Sequence, residues 1–220
     1  ELVVQALSEK ALEEFHHEAD LHFHLRHKNI VQLFCFNTNK DLGEICMVME
    51  KLDCSLHDIL HEQTCAHSFD RRLAMIEDMA KGMIYLHELG IVHLDIKSMN
   101  MLLDKDETIK IADFGLSCVK EEIKTKADKD NDPAGSLPWM APELMTGGKP
   151  TTKADVFSFY VLMWEVITGE IPHHKKPGTQ IIKFISRKNK RLKVPVEIPE
   201  QLKDLFEKCS AANPDERPTM

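Results

Sequence analysis

Short apolar, partly β-branched runs at residues 2–7, 30–36 and 45–49 predict strands in the first quarter of the chain. Between the first two, Leu12, Phe15, Ala19, Leu21 and Leu25 recur at helical spacing with charged residues between them, which predicts a helix over 9–25. A longer amphipathic helix is expected over 73–89, stopped by Gly90. Residues 91–93 then open a loop. Residues 104–107 read as a turn between two short strands, the second being Ile109-Lys110-Ile111. Further helices are predicted over 153–168, 180–188 and 199–211, and 153–168 is strongly apolar. The charged segment 120–134, with its Asp and Asn residues and one proline, reads as a long mobile loop. Strands come first and helices follow. That order suits an α+β fold in which a small sheet-containing lobe joins a larger helical one.

Composition narrows the class without changing this picture. The 220 residues amount to one large domain, and 43% hydrophobic content supports a sizeable core. A net charge of −8 gives no overall pull toward nucleic acid or anionic membrane. The lysine-rich stretch 183–193 lacks interleaved aromatics and reads as a solvated helix face. Six scattered cysteines, none in a C-x-x-C pair, suit a reduced, cytoplasmic protein. The longest apolar stretch, 159–167, is interrupted by Glu165 and is about half of what a membrane span needs. His16, His17, His22, His24 and His27 cluster, but they do not share one helix face at ligand spacing. They therefore read as solvated or core histidines rather than a zinc site.

The chemistry is concentrated in three short motifs. His93-Leu94-Asp95-Ile96-Lys97-Ser98-Met99-Asn100 has the form H-x-D-x-K-x-x-N. Asp113-Phe114-Gly115 follows it, and Ala141-Pro142-Glu143 comes later. Each could arise by chance alone, but their order and gaps together form a signature set. On these residues the chain resembles the eukaryotic protein kinase family, over nearly its whole length. The resemblance is closest to the tyrosine-kinase-like group of serine/threonine kinases, which includes mixed-lineage and MAP kinase kinase kinase enzymes. It implies a bilobal kinase fold, with 1–50 belonging to the small lobe and 51–220 to the hinge and large lobe. It also implies ATP and Mg²⁺ as cofactors and a protein bearing a Ser or Thr acceptor as partner.

The resemblance further implies roles. Asp95 matches the residue that accepts or orients the substrate hydroxyl proton. Lys97 matches the loop lysine that steadies the transferring phosphate in serine/threonine-type enzymes; tyrosine kinases usually differ here. Asn100 and Asp113 match the two Mg²⁺ ligands, and hard oxygen donors suit that ion. Gly115 is expected to lend backbone freedom beside Asp113. Met49 resembles the gatekeeper, and Glu50-Lys51-Leu52 the hinge that hydrogen-bonds adenine through its backbone. Leu102 resembles the residue packed under the adenine ring and reads equally as ordinary core. Glu18 matches the helix glutamate that pairs with a strand lysine; a solvated helix glutamate is the competing reading. Glu143 is expected to pair with Arg217, and Asp155 to hold the catalytic-loop backbone. Ser136 fills a usual threonine position.

Several positions depart from the pattern. The Gly-rich loop that covers the phosphates is not among these residues and is expected to lie before Glu1; the abrupt ends read as those of a fragment of a longer protein, one expected to transfer phosphate poorly by itself. Gln5 lies at or near the position of the strand lysine, 13 residues before Glu18. Glutamine cannot supply a charge to phosphates. Either Gln5 replaces the lysine, which favours a weakened enzyme or a pseudokinase scaffold, or the match to the family is out of register there. Leu94 stands in place of a usual arginine, so control by loop phosphorylation, at Thr125 for example, is expected to be weak. His22 replaces an apolar residue that stacks between the lobes. Phe157 replaces a tryptophan and Tyr160 a glycine, and Tyr160 needs a partner for its hydroxyl.

Overall fold

The structure is a computed structural model that describes residues 9–39, 44–62, 67–115, 117–119, 136–187, 189–195 and 197–220. The expected strand at 2–7, Gln5, the segment 120–134 and Thr125 lie outside the described residues.

Helix α1 (Glu9–Phe23) and the antiparallel strands β1 (Leu33–Asn39) and β2 (Glu44–Met49) form the smaller lobe. Phe36 of β1 meets two rings of α1 edge-on, His16 at 6.2 Å and Phe23 at 5.8 Å. The strand expected over 30–36 begins three residues later than its composition suggests. Residues 29–31 instead pair with the strand of the larger lobe that precedes Asp113: Ile111 N–H donates to Asn29 O at 2.9 Å, and Val31 N–H donates to Ile111 O at 2.9 Å. A register shift between Leu33 and Cys35 then sets the β1–β2 pairing.

The larger lobe is mostly helical. After β3 (Cys54–Ser55), helix α2 (Leu56–His61) is closed by a capping box: Asp58 N–H donates to Ser55 Oγ, and Ser55 N–H donates to the Asp58 carboxylate. These bonds, led by the Ser55 backbone, hold the Asp58 carboxyl below its ordinary range. Helix α3 (Phe69–Glu88) starts four residues earlier than the apolar pattern predicts, because Ser68 caps it by accepting from Arg71 N–H. It ends as expected beside Gly90, whose φ is 74°. At Gly82 a Cβ would lie 2.8 Å from Asn29 O and 2.8 Å from Ile111 Cδ1, so the glycine lets α3 press directly against the junction of the two lobes.

Strands β4 (Ile91–Val92), β5 (Met101–Leu103), β6 (Ile109–Ile111) and β7 (Cys118–Val119) are short. β3, β5 and β6 form one antiparallel sheet, and β4 pairs with β7. Helix α4 (Thr152–Thr168) is apolar on all sides and is buried from Ala154 to Val166, as expected of a helix at the centre of a lobe. Gly169, at φ 70°, ends it and donates back to Glu165 O at 2.8 Å.

The helix expected over 180–188 is a short α5 (Gly178–Ile182) that passes into one π-helical turn, Lys183–Arg187. The lysine-rich stretch is thus not one helix face. Helix α6 (Glu200–Cys209) is the last α-helix among the described residues. Among the described residues, no helix is long and apolar enough to cross a membrane. Cys35, Cys46, Cys54 and Cys209 are free thiols.

Candidate active site

Two elements position the H-x-D-x-K-x-x-N loop: β4 before it and a 3₁₀ turn, Ser98–Asn100, inside it. Its backbone is held from below by Asp155 of α4, which is 1% exposed. One carboxylate oxygen accepts from His93 N–H at 2.8 Å and the other from Leu94 N–H at 2.8 Å. His87 of α3 lies 2.9 Å from the first oxygen. Leu94 takes φ 68°, a left-handed conformation that costs an ordinary residue about 1–2 kcal/mol. The charge-assisted bonds to Asp155 offset that cost.

Asp95 is buried at the turn of this loop. Its Oδ2 accepts from Lys97 Nζ at 2.7 Å and from Asn100 Nδ2 at 2.8 Å. Burial alone would raise its pKa, but the bonds from Lys97, Ser136 and Asn100 together with the Lys97 charge prevail, and the carboxyl is held below its ordinary value. It is therefore a carboxylate at neutral pH. Its Oδ1 is buried and has no hydrogen-bond partner, so one acceptor of the ionised group is left for another donor. Lys97 Nζ also donates to Ser136 Oγ at 2.9 Å, tying the loop to the segment before Ala141-Pro142-Glu143.

Asn100 uses its amide nitrogen on Asp95 O and Oδ2, and its backbone carbonyl accepts from Ala112 N–H at 2.9 Å. Its amide oxygen takes no part in these bonds. Asp113, next in chain after Ala112, is exposed and adopts φ 64°. The conformational freedom expected of Gly115 is thus taken up at Asp113. Gly115 has an ordinary φ; a Cβ there would sit 3.4 Å from Asp113 Oδ1 and 3.5 Å from Glu18 Oε2.

A cavity of about 410 Å³ collects most of the remaining candidates. Glu18, Met49, Glu50, Leu52, Asn100, Leu102 and Asp113 all line it, together with Val31 and Met47. Residues from α1, β2, the segment after it, β5 and the turn beyond β6 converge here from both lobes. The Glu50 side chain is already engaged: it accepts from Gln32 N–H at 2.6 Å and from Lys110 Nζ at 2.7 Å. A base in the cavity would therefore meet backbone groups at this position. Asn100 and Asp113 offer an amide and a carboxylate oxygen on the same wall, which fits the hard-oxygen preference of Mg²⁺.

Phe114 is buried between two imidazoles. The His22 ring lies 4.6 Å from it and the His93 ring 5.2 Å. His22, at a position where the resemblance implies an apolar residue, meets its polar requirement with a 2.6 Å bond from Nε2 to Val31 O. Burial pushes the pKa of both histidines down, so both are neutral at physiological pH. His24 is solvated and contacts Asp20 O on the surface, whereas His27 is half-buried, stacks on Tyr85 at 4.9 Å and accepts from Asn29 N–H at 3.1 Å.

Glu143 and Arg217 form the expected pair, bidentate at 2.6 and 2.8 Å, with Arg217 1% exposed. Tyr160 also finds its partner. Its ring lies between Phe157 and Phe206, its hydroxyl accepts from Leu192 N–H at 2.8 Å, and burial raises its pKa to about 12.

Sequence reasoning missed four supports: His87 beneath Asp155, and Ser98, Trp139 and Glu165, which form one buried network. Ser98 Oγ donates to Glu165 Oε1 at 2.7 Å, and Trp139 Nε1 donates to Oε2 at 2.9 Å. A glutamate inside an all-apolar helix was the available signal, because such a charge must be paired.

A carboxylate-lysine-asparagine loop and a left-handed aspartate thus stand beside a cavity between the lobes. The family model for protein tyrosine and serine/threonine kinases matches residues 2–220, and the chain belongs to that family. Among curated relatives it is similar to the probable serine/threonine-protein kinase drkA of Dictyostelium discoideum, 36% identical over 97% of this chain and 33% of that protein. It is also similar to two Arabidopsis thaliana proteins. Serine/threonine-protein kinase STY17 is 33% identical over 97% of this chain and 37% of its own length, and serine/threonine-protein kinase CTR1 is 35% identical over 99% and 27%. The chain thus spans well under half the length of these relatives.

Proposed function

We propose that this chain transfers the γ-phosphate of ATP to serine or threonine hydroxyls of protein substrates in cytoplasmic signalling. The observation that carries this reading is the state of Asp95: ionised, fixed by Lys97 and Asn100, and left with one unpartnered buried oxygen. That oxygen would accept the hydrogen of an incoming hydroxyl and aim its lone pair. Lys97, already 2.7 Å from Asp95, would neutralise charge on the phosphate as it passes. Adenine would lie between Met49 and Leu102, hydrogen-bonded to the backbone of Glu50 and Leu52. Glu18 faces the same cavity and would orient a phosphate-binding cation from the preceding strand. Residues 1–50 would move with the small lobe and 51–220 with the large one.

Asn100 and Asp113 would hold Mg²⁺, which when bound neutralises charge on the nucleotide phosphates. Lys97, at the position where tyrosine kinases usually differ, would favour serine and threonine over tyrosine, and the names of the three relatives support that reading.

The test is Mg²⁺-dependent transfer of labelled phosphate from ATP to a generic protein substrate, followed by phosphoamino-acid identification. The protein used would be extended upstream of residue 1. Label on serine or threonine, lost in Asp95→Asn, is expected. No transfer from a folded protein would favour a second reading, a pseudokinase scaffold, for which Gln5 at the strand-lysine position is the supporting feature.

A further inference from the structure

Helix α2 carries His57 and His61 four residues apart, so both side chains rise from the same face. Their ring centroids are 4.7 Å apart. That face meets Glu165 of α4. One nitrogen of each histidine and one carboxylate oxygen of Glu165 all lie within 4.8 Å of one another, and His61 Nε2 is 2.9 Å from Glu165 Oε1. Both histidines are partly buried, with the His61 side chain 9% exposed, and Glu165 is fully buried.

The surroundings are those of a supported ligand set. Trp139 Nε1 fixes the second oxygen of Glu165, and Ser98 Oγ fixes the first and contacts His57 Nδ1 at 3.5 Å. The capping box at Ser55 and Asp58 holds α2 itself in place. Two imidazoles one helical turn apart with a glutamate from another helix make an N₂O donor set, to which a water would add the fourth ligand. Mg²⁺ and Ca²⁺ prefer all-oxygen sets, so the donors select a borderline transition ion.

We propose that His57, His61 and Glu165 form a Zn²⁺ site. The ion would take the place of the direct His61–Glu165 hydrogen bond and clamp α2 to α4. Because Ser98 shares Glu165, the clamp sits directly under the turn that carries Asn100. This site is separate from the Mg²⁺ position at Asn100 and Asp113, and it does not depend on the chain being an active enzyme.

The experiment is Co²⁺ titration of the untagged folded protein, with its exposed thiols such as Cys35 and Cys46 alkylated under native conditions and excess Mg²⁺ present. A visible four-coordinate spectrum saturating at one equivalent is expected, displaced by Zn²⁺ and lost in both His57→Ala and His61→Gln. His24→Ala, at a surface histidine elsewhere, should leave it unchanged. Zn²⁺ at a hundredfold excess over Kd should raise Tm by about 5 °C in the parent protein and leave that of His57→Ala unmoved. His57→Ala keeps the Glu165 bonds to His61, Ser98 and Trp139, and His61→Gln keeps a hydrogen-bond donor, so folding is preserved in at least one variant. A spectrum that fails to saturate, or one that survives both substitutions, overturns the proposal.

Discussion

Asp155 and Glu165 stand ten residues apart on α4, about 15 Å along the helix axis. Both are essentially fully buried, and each has a histidine nitrogen at 2.9 Å, His87 for one and His61 for the other. They differ in what they hold. Asp155 grips main chain, the N–H groups of His93 and Leu94, whereas Glu165 grips side chains, Ser98 and Trp139. A backbone grip forces conformation: it keeps Leu94 left-handed and fixes the root of the His93–Phe114–His22 stack. A side-chain grip fixes position only and leaves the backbone to its own preferences. The same helix thus shapes the Asp95 loop at one end and locates it at the other.

Removing the backbone grip should have the largest effect. Asp155→Ala would strand two buried N–H groups and a histidine, and is expected to cost about 3–5 kcal/mol in urea unfolding, with activity lost in parallel. Glu165→Gln keeps the shape but sets an NH₂ against one of three donors. A loss of about 1–3 kcal/mol is expected, with the loop conformation unchanged by amide hydrogen exchange at His93 and Leu94. Equal losses in the two variants would erase the distinction drawn here.

A smaller test lies at Leu94 itself. Leu94→Gly should remain within about 1 kcal/mol of the parent, because glycine tolerates positive φ, whereas Leu94→Val should cost about 1–2 kcal/mol. The smallest expected effect is one of pH. His22 and His93 are kept neutral by burial, so their folded pKa lies below the unfolded value of 6.5. Their contribution is full above that value and is lost as pH falls toward the folded pKa. His22→Leu should therefore gain on the parent protein as pH is lowered from about 7.5 to 5.5, read as the difference between their urea midpoints.

What the sequence made legible follows from range. The motif residues Asp95, Lys97 and Asn100 lie within six positions, and their mutual bonds follow from that spacing. The Glu143–Arg217 and Asp155 contacts span 60 residues or more, and only the family resemblance placed them. Nothing local announced that His87 would reach Asp155, or that Ser98, Trp139 and Glu165 would meet, since each pair is separated by dozens of residues. Strand boundaries near residue 30 were misjudged because Ile30 and Val31 are apolar for a different reason: they pair with β6 rather than extend β1. The helix expected over 180–188 is present as α5 and the π-helical turn that continues it; its apolar residues fit both an α-turn and a π-turn, so the change of pitch was not legible from their spacing.

Tyr160 has a consequence for descent. A glycine cannot become a buried tyrosine unless a ring-sized space and a polar partner are present together, and here Phe157, Phe206 and the Leu192 main chain supply them from three separate segments. The tyrosine at 160 is therefore tied to its neighbours. Relatives that carry a tyrosine here should carry an aromatic at 206 as well, and a glycine in its place would leave a hole among them.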